Sequence, residues 1–223
     1  MRSRETAKGE PEACWSCRAA VGREELRCPA CGVLQPEPSG RDHFAVLGLP
    51  RQQALDPVDL ERRFRERSRL LHPDRFARAT ARERRLSLER STRLNDAYRV
   101  LRDPRRRAAY VLELLGATGW GGAAGAGAQD AEFLEEQLEL REDLAAARRA
   151  GDQAVARRIA AAARERLAAV DEEVARLLAP PQPDPAALAA AARALARARY
   201  LESVLFEADP DAVPSRARDR EPR

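Results

Sequence analysis

With 223 residues, 40 basic and 36 acidic side chains and a net charge of +4, the chain has too small a charge excess to mark a nucleic-acid binder by charge alone. Apolar residues make up 44% of it and aromatics only 4%, which favours an all-α fold packed through leucine and alanine over a β-sandwich. No apolar run is long enough to span a bilayer, and the first dozen residues carry acids and no hydrophobic signal core, so a soluble chain in a reducing bacterial cytoplasm is expected.

The first element is a cysteine module. Cys14, Cys17, Cys28 and Cys31 form two C-x-x-C pairs ten residues apart, the second within CPACG. Two such knuckles let four thiolates close a tetrahedron around Zn²⁺, and four protein ligands leave no open position for hydrolytic water, so the ion is expected to be structural. Two disulfides or free thiols are the alternative, and iron in a rubredoxin-like site is another. The following LQPEPSG, with its prolines, Ser39 and Gly40, reads as an extended linker that ends the module near residue 40.

From Asp42 to Leu115 the pattern is helical and well punctuated. Asp56 caps and Pro57 opens one helix, Thr80 and Glu83 form a capping box for the next, Asp103–Pro104 begins a short one, and Gly116 ends the unit. Leu60, Phe64 and Leu71 share one face while Arg62, Arg65 and Arg69 fall on the other. Leu94, Ala97, Tyr98 and Leu101 repeat the apolar stripe on the next helix, predicting an antiparallel hairpin. His72, Pro73 and Asp74 then occupy its exposed tip. A catalytic His72–Asp74 pair lacks a nucleophile, a second acid or a pocket in the sequence.

Residues 117–129 are rich in Gly and Ala and read as a flexible tether. Three helical stretches follow, at about 131–150, 153–179 and 186–207, punctuated by Gly151, PPQPDP and Asp184–Pro185, and they imply a bundle. Residues 209–223 read as a disordered tail. On the first of these helices Phe133, Leu140 and Leu144 form one apolar line, and Leu134 and Leu138 form a second, bordered by Glu135, Glu139 and Glu142. The second line suits either docking of a basic or amphipathic partner or a wide core stripe. On the last helix Leu188, Leu195, Leu201 and Leu205 face inward, and Tyr200 is placed on the far side with Arg193, Arg197 and Val204.

The order DHFAVLGLP, a basic helix, HPDRF, LNDAYRVLRDP and RRRAAYVLELLG resembles the J domain. That resemblance implies a co-chaperone that stimulates ATP hydrolysis by a chaperone of the heat shock protein 70 family, with His72, Pro73 and Asp74 as the trigger and Arg62, Arg65 and Arg69 steering toward an acidic surface. FLEEQLELREDL, residues 133–144, further resembles the client-binding helix of the HscB family, J-type co-chaperones of iron–sulfur cluster assembly. By that resemblance Leu134, Leu138, Glu139, Glu142 and Tyr200 would bind the iron–sulfur scaffold protein, although Glu135 stands where an apolar residue is often found.

Animal members of that family carry an N-terminal tetra-cysteine module resembling the one here, and a eukaryotic source would place the protein in the mitochondrial matrix. The implied layout is a zinc module at 1–40, a J domain at 41–116, a linker at 117–129, a scaffold-binding three-helix bundle at 130–208 and a tail. No reaction of its own is expected of such a chain. A J-domain adaptor for another client, or a nucleic-acid adaptor built on the zinc knuckles and arginines, are the rival readings, the second opposed by the lack of exposed aromatics among the arginines.

Overall fold

The computed structural model describes residues 11–117 and 131–209, without the side chains of 131–134 and 136. Among them, all regular structure beyond one two-stranded ribbon is helical. The chain divides into two compact units. Of the described residues, one holds 11–51 together with 55–103, and the other holds 52–54, 104–117 and 131–209.

In the first unit, α1 (His43–Leu47) begins where the Asp42 carboxylate accepts the Ala45 N–H at 2.7 Å and stops at Gly48, which takes the left-handed φ of 68°. The positive φ is what favours glycine there; a Cβ would also meet the end of the Arg67 side chain at 2.6 Å, which can swing aside. The next helix, α2 (Pro57–Leu71), is capped by Asp56, and α3 (Ala81–Leu101) starts with the Thr80–Glu83 capping box. Glu61 meets Tyr98 at one end of the pair while Leu71 meets Ser87 and Ser91 at the other, so α2 and α3 run antiparallel as predicted. Phe64 stacks on Tyr98 with ring centroids 4.1 Å apart. Phe44, Leu47, Leu60, Leu71, Leu86, Leu94, Ala97 and Leu101 fill the core between these helices.

The Tyr98 hydroxyl donates to the Glu61 carboxylate, Arg65 adds a charged bond at 2.7 Å, and together they hold the Glu61 carboxyl below its usual 4.5. A lowered folded pKa stabilises fully above the unfolded value and is lost as pH falls through the folded one. Acid unfolding of the chain should therefore steepen below about pH 4.5, and Glu61→Gln should flatten that limb in a chemical-denaturation series against pH.

The cysteine module opens with a ribbon of β1 (Glu12–Ala13) and β2 (Ala20–Val21), antiparallel, with Glu12 opposite Val21. The segment expected as an extended linker after it is packed. Leu34, Gln35 and Pro38 are buried, and the guanidinium of Arg90 on α3, only 2% exposed, donates to the Gln35 carbonyl at 2.9 Å and to Glu37 at 3.0 Å. A buried cation needs partners, and this stretch supplies them. Its prolines and glycine suggested an open chain because the partner lies 55 residues away in sequence.

The second unit groups α4 (Pro104–Leu114) with α5 (Ala131–Ala150), α6 (Gln153–Leu177) and α7 (Pro185–Ala208). Arg105 of α4 forks onto both carboxylate oxygens of Asp171 on α6, at 2.6 and 2.7 Å, and onto Glu202 of α7 at 2.7 Å. Gln53 donates to the Pro104 carbonyl at 3.0 Å and accepts from Arg107 through its own carbonyl at 2.7 Å, which explains why three loop residues belong to this unit. Gly151, at φ 67°, ends α5, Asp152 caps α6, and Asp184 with Pro185 opens α7. Alanines 160, 163, 191, 194 and 198 are buried along the α6–α7 seam, where small side chains permit close approach. The expected tether and tail, beyond Ala117 and Asp209, lie outside the described residues. No described helix is long and apolar enough to cross a membrane.

Candidate functional site

The turn at the tip of the α2–α3 hairpin is braced from below. As α2 ends, the Leu71 carbonyl accepts bonds from Ser87 Oγ at 2.6 Å and Ser91 Oγ at 3.0 Å, two hydroxyls one turn apart on α3. His72 leaves the helix at φ −56°, ψ 129°, and Pro73 opens a 3₁₀ turn, Pro73–Phe76, whose Phe76 ring is buried as an anchor. His72 Nδ1 accepts the Asp74 N–H at 3.3 Å, which leaves Nε2 as the ring's remaining donor. The side chains of His72 and Asp74 are 55% and 90% exposed, so both are presented to solvent. Sequence reading missed Ser87 and Ser91; their spacing of four on a helix otherwise dominated by Arg and Leu was the available signal.

Arg62, Arg65 and Arg69 are all exposed, opposite the buried Leu60 and Leu71. Much of their charge is already engaged. Arg62 pairs with Asp59 and, at 3.0 Å, with Glu66, while Arg65 pairs with Glu61 at 2.7 Å. Of the three, Arg69 alone makes no ion pair among the described residues. Exposed intrahelical pairs contribute about 0.3–0.5 kcal/mol each, so an acidic partner can exchange them at small cost.

On α5 the two predicted apolar lines separate. Leu144 is buried and Leu140 half-buried, whereas Leu138 is 62% exposed with Glu135, Glu139 and Glu142 exposed around it. The side chains of Phe133 and Leu134 lie outside the described residues. Tyr200 is not on the far side of α7 as the helical period suggested. It is half-buried, its hydroxyl donates to the Gln137 carbonyl of α5, and the Arg141 guanidinium lies over its ring at 5.4 Å. Val204, placed outward with it, is a core residue at 1% exposure. The physical reason is that α7 packs against both α5 and α6, so more than one stripe of it is covered. Tyr200 of α7 thus bonds the residue preceding Leu138 on α5 and ties the two helices together while staying partly exposed.

The sulfur atoms of Cys14, Cys17, Cys28 and Cys31 all lie within 4.8 Å of one another, with Cys14–Cys31 at 3.7 Å and Cys17–Cys28 at 3.6 Å. A tetrahedral ion with metal–sulfur bonds of about 2.3 Å separates its sulfurs by about 3.8 Å, so these four fit a metal ion. None of the four is in a disulfide. Burial would raise the Cys14 thiol, yet the amides of Cys17 and Ser16 and the neighbouring thiols bring it down to about 6. The Ala19 amide favours the Cys17 thiolate, but the other sulfurs, Cys31 foremost, push it up to about 12. Such a shared negative charge is what a metal ion replaces protons to neutralise.

Two family models match the chain: a DnaJ domain over residues 42–110 and an HSCB C-terminal oligomerisation domain over 129–209. Together they cover more than half of it. The "Co-chaperone protein HscB homolog" of Bordetella pertussis is 46% identical over 108 residues, 48% of this chain and 62% of that protein. The "Iron-sulfur cluster co-chaperone protein HscB" of Mus musculus is 36% identical over 135 residues, 59% of this chain and 57% of that protein. The matches therefore span less than two thirds of these curated relatives. The crystal structure of human co-chaperone protein HscB superposes with a TM-score of 0.76 at 27% identity, covering 92% of this chain and 100% of that one.

Proposed function

The chain belongs to the HscB family, and from that premise we propose that it stimulates ATP hydrolysis by a heat shock protein 70 family chaperone and delivers an iron–sulfur cluster scaffold protein to it. The observation that carries the reading is the division of labour between the units. A braced turn displays His72 and Asp74 in one, and an exposed leucine within an acidic border lies in the other.

Asp74 offers a carboxylate to an arginine of the chaperone, His72 Nε2 offers a donor beside it, and Pro73 fixes the angle between them. Arg69, with Arg62 and Arg65 released from their intrahelical partners, steers the encounter toward an acidic surface. The scaffold docks on Leu138, with Glu139, Glu142 and Tyr200 at its margin and Leu134 one turn before it. Burying one large apolar side chain at the centre of such a patch supplies about 2 kcal/mol or more, a hot-spot contribution. Bond cleavage belongs to the chaperone; this chain contributes proximity and a trigger. Zn²⁺ held by Cys14, Cys17, Cys28 and Cys31 would stabilise the module without reactive chemistry.

Size-exclusion chromatography of the full chain with a purified iron–sulfur scaffold protein tests the cargo half. Co-elution as a complex is expected, and separate elution at micromolar concentrations of both would remove the scaffold from the reading.

A further inference from the structure

We propose that metal occupancy of the four-cysteine centre and the order of the His72–Phe76 turn are thermodynamically linked, through Gln35, Arg27 and Glu83. The inference goes beyond the co-chaperone reading, and its test uses no chaperone, so the two fail separately.

Three connections run from the cysteine module to the turn or to α3 behind it. Gln35 Nε2 donates to Cys14 Sγ at 3.4 Å, while the carbonyl of the same residue accepts from the buried Arg90 of α3 at 2.9 Å. The Arg27 guanidinium donates to the Gly32 carbonyl beside Cys31 at 2.9 Å and lies over the Phe76 ring, 5.0 Å from its centroid. The Leu34 N–H donates at 3.4 Å to the carboxylate of Glu83, which also caps Thr80 where α3 begins. Trp15, next to the first ligand, holds the Leu34 carbonyl at 2.8 Å and stacks under Arg82 at 4.4 Å. Thus the chain on both sides of the second knuckle touches the turn or the helix start directly behind it.

The module cannot hold this arrangement by its own packing. Its buried apolar cluster is Cys14, Val21 and Cys28 with Ala19 and Val33 beside it, and two of the three central members are ligands. In a segment this short the metal supplies the folding free energy, so its loss frees Arg27, Leu34 and Gln35 together. Phe76 then loses the guanidinium over its ring, Arg90 loses a carbonyl partner and Glu83 loses a donor. By reciprocity, whatever factor metal loss costs the turn, weakening the α3 contacts must cost metal affinity.

The test is amide hydrogen exchange on the full chain, metal-stripped under reducing conditions and then reloaded with Zn²⁺ alone. Stripping should speed exchange over residues 75–86 by about tenfold, within the usual range of coupling, and Zn²⁺ should restore it. Exchange over 187–205, in the other unit, should not change. If 14–35 loses protection while 75–86 keeps its own, or if 187–205 loosens equally, the linkage is wrong. The reciprocal arm measures Zn²⁺ affinity by chelator competition in Arg90→Met and in the exposed-site variant Arg27→Ala. Affinity should fall several-fold in each; wild-type affinity in folded Arg27→Ala and Arg90→Met overturns the proposal, and if Arg90→Met does not fold, the Arg27→Ala and stripping results decide it.

Discussion

Replacing His72 by glutamine should abolish stimulation of the chaperone ATPase while leaving scaffold binding within about twofold of the wild type. The imidazole performs two tasks at once: Nδ1 accepts the Asp74 N–H at 3.3 Å, and Nε2 is left to donate to the partner. A glutamine amide can accept or donate at either place, but its extra rotatable bonds must be frozen to reach both, and the Asp74 carboxylate loses its fixed neighbour. Losing an interface hot spot costs about 2 kcal/mol or more, about thirtyfold in affinity, and a trigger contact converts that into lost turnover. The melting temperature should hold to within a few degrees because the side chain is 55% exposed and its one hydrogen bond is at the surface. Loss of scaffold binding alongside stimulation would show that the two functions do not reside in separate units.

Leu138→Ala should do the reverse. With 62% of Leu138 exposed, removing it leaves the bundle core intact and should shift melting by no more than about a degree, while weakening scaffold affinity by about thirtyfold. Tyr200 behaves differently from what its place in the helical pattern suggested. Tyr200→Ala removes both a bond to the Gln137 carbonyl and the platform under Arg141, so it should cost stability as well as affinity, by about 1–3 kcal/mol. Tyr200→Phe keeps the platform and loses only the hydroxyl, for about 1 kcal/mol. Calorimetric melting of the three variants beside scaffold titrations separates the roles. Unchanged affinity in Leu138→Ala would take the α5 face out of the cargo site.

Local chemistry was legible in the sequence wherever one residue decides one backbone bond. Asp56–Pro57, Thr80 with Glu83, Gly151 and Asp184–Pro185 all punctuate helices where they were expected, because a cap acts within its own turn. The display of His72 and Asp74 was legible for the same reason, a proline directly after a helix end. Contacts distant in sequence were not. The Leu34–Glu83 bond joins residues 49 apart, and the Arg90–Gln35 bond joins residues 55 apart, so nothing in the LQPEPSG composition distinguishes a packed strap from an open linker. Periodicity also cannot say how many neighbours a helix has. It separated Leu144 from Leu138 correctly on α5, which is covered on one side, and misplaced Tyr200 and Val204 on α7, which is covered on two. The grouping of α4 with the bundle rests on Arg105 reaching Asp171 and Glu202, again partners far along the chain.

Single-turnover ATP hydrolysis by a purified heat shock protein 70 family chaperone, with this chain and an iron–sulfur scaffold protein added singly and together, is the most direct test of a displayed turn and a cargo face acting in one molecule. Acceleration by the chain alone and a further, more than additive acceleration with the scaffold are expected, both abolished by His72→Gln and only the second by Leu138→Ala. An unchanged hydrolysis rate with the wild-type chain present would contradict it.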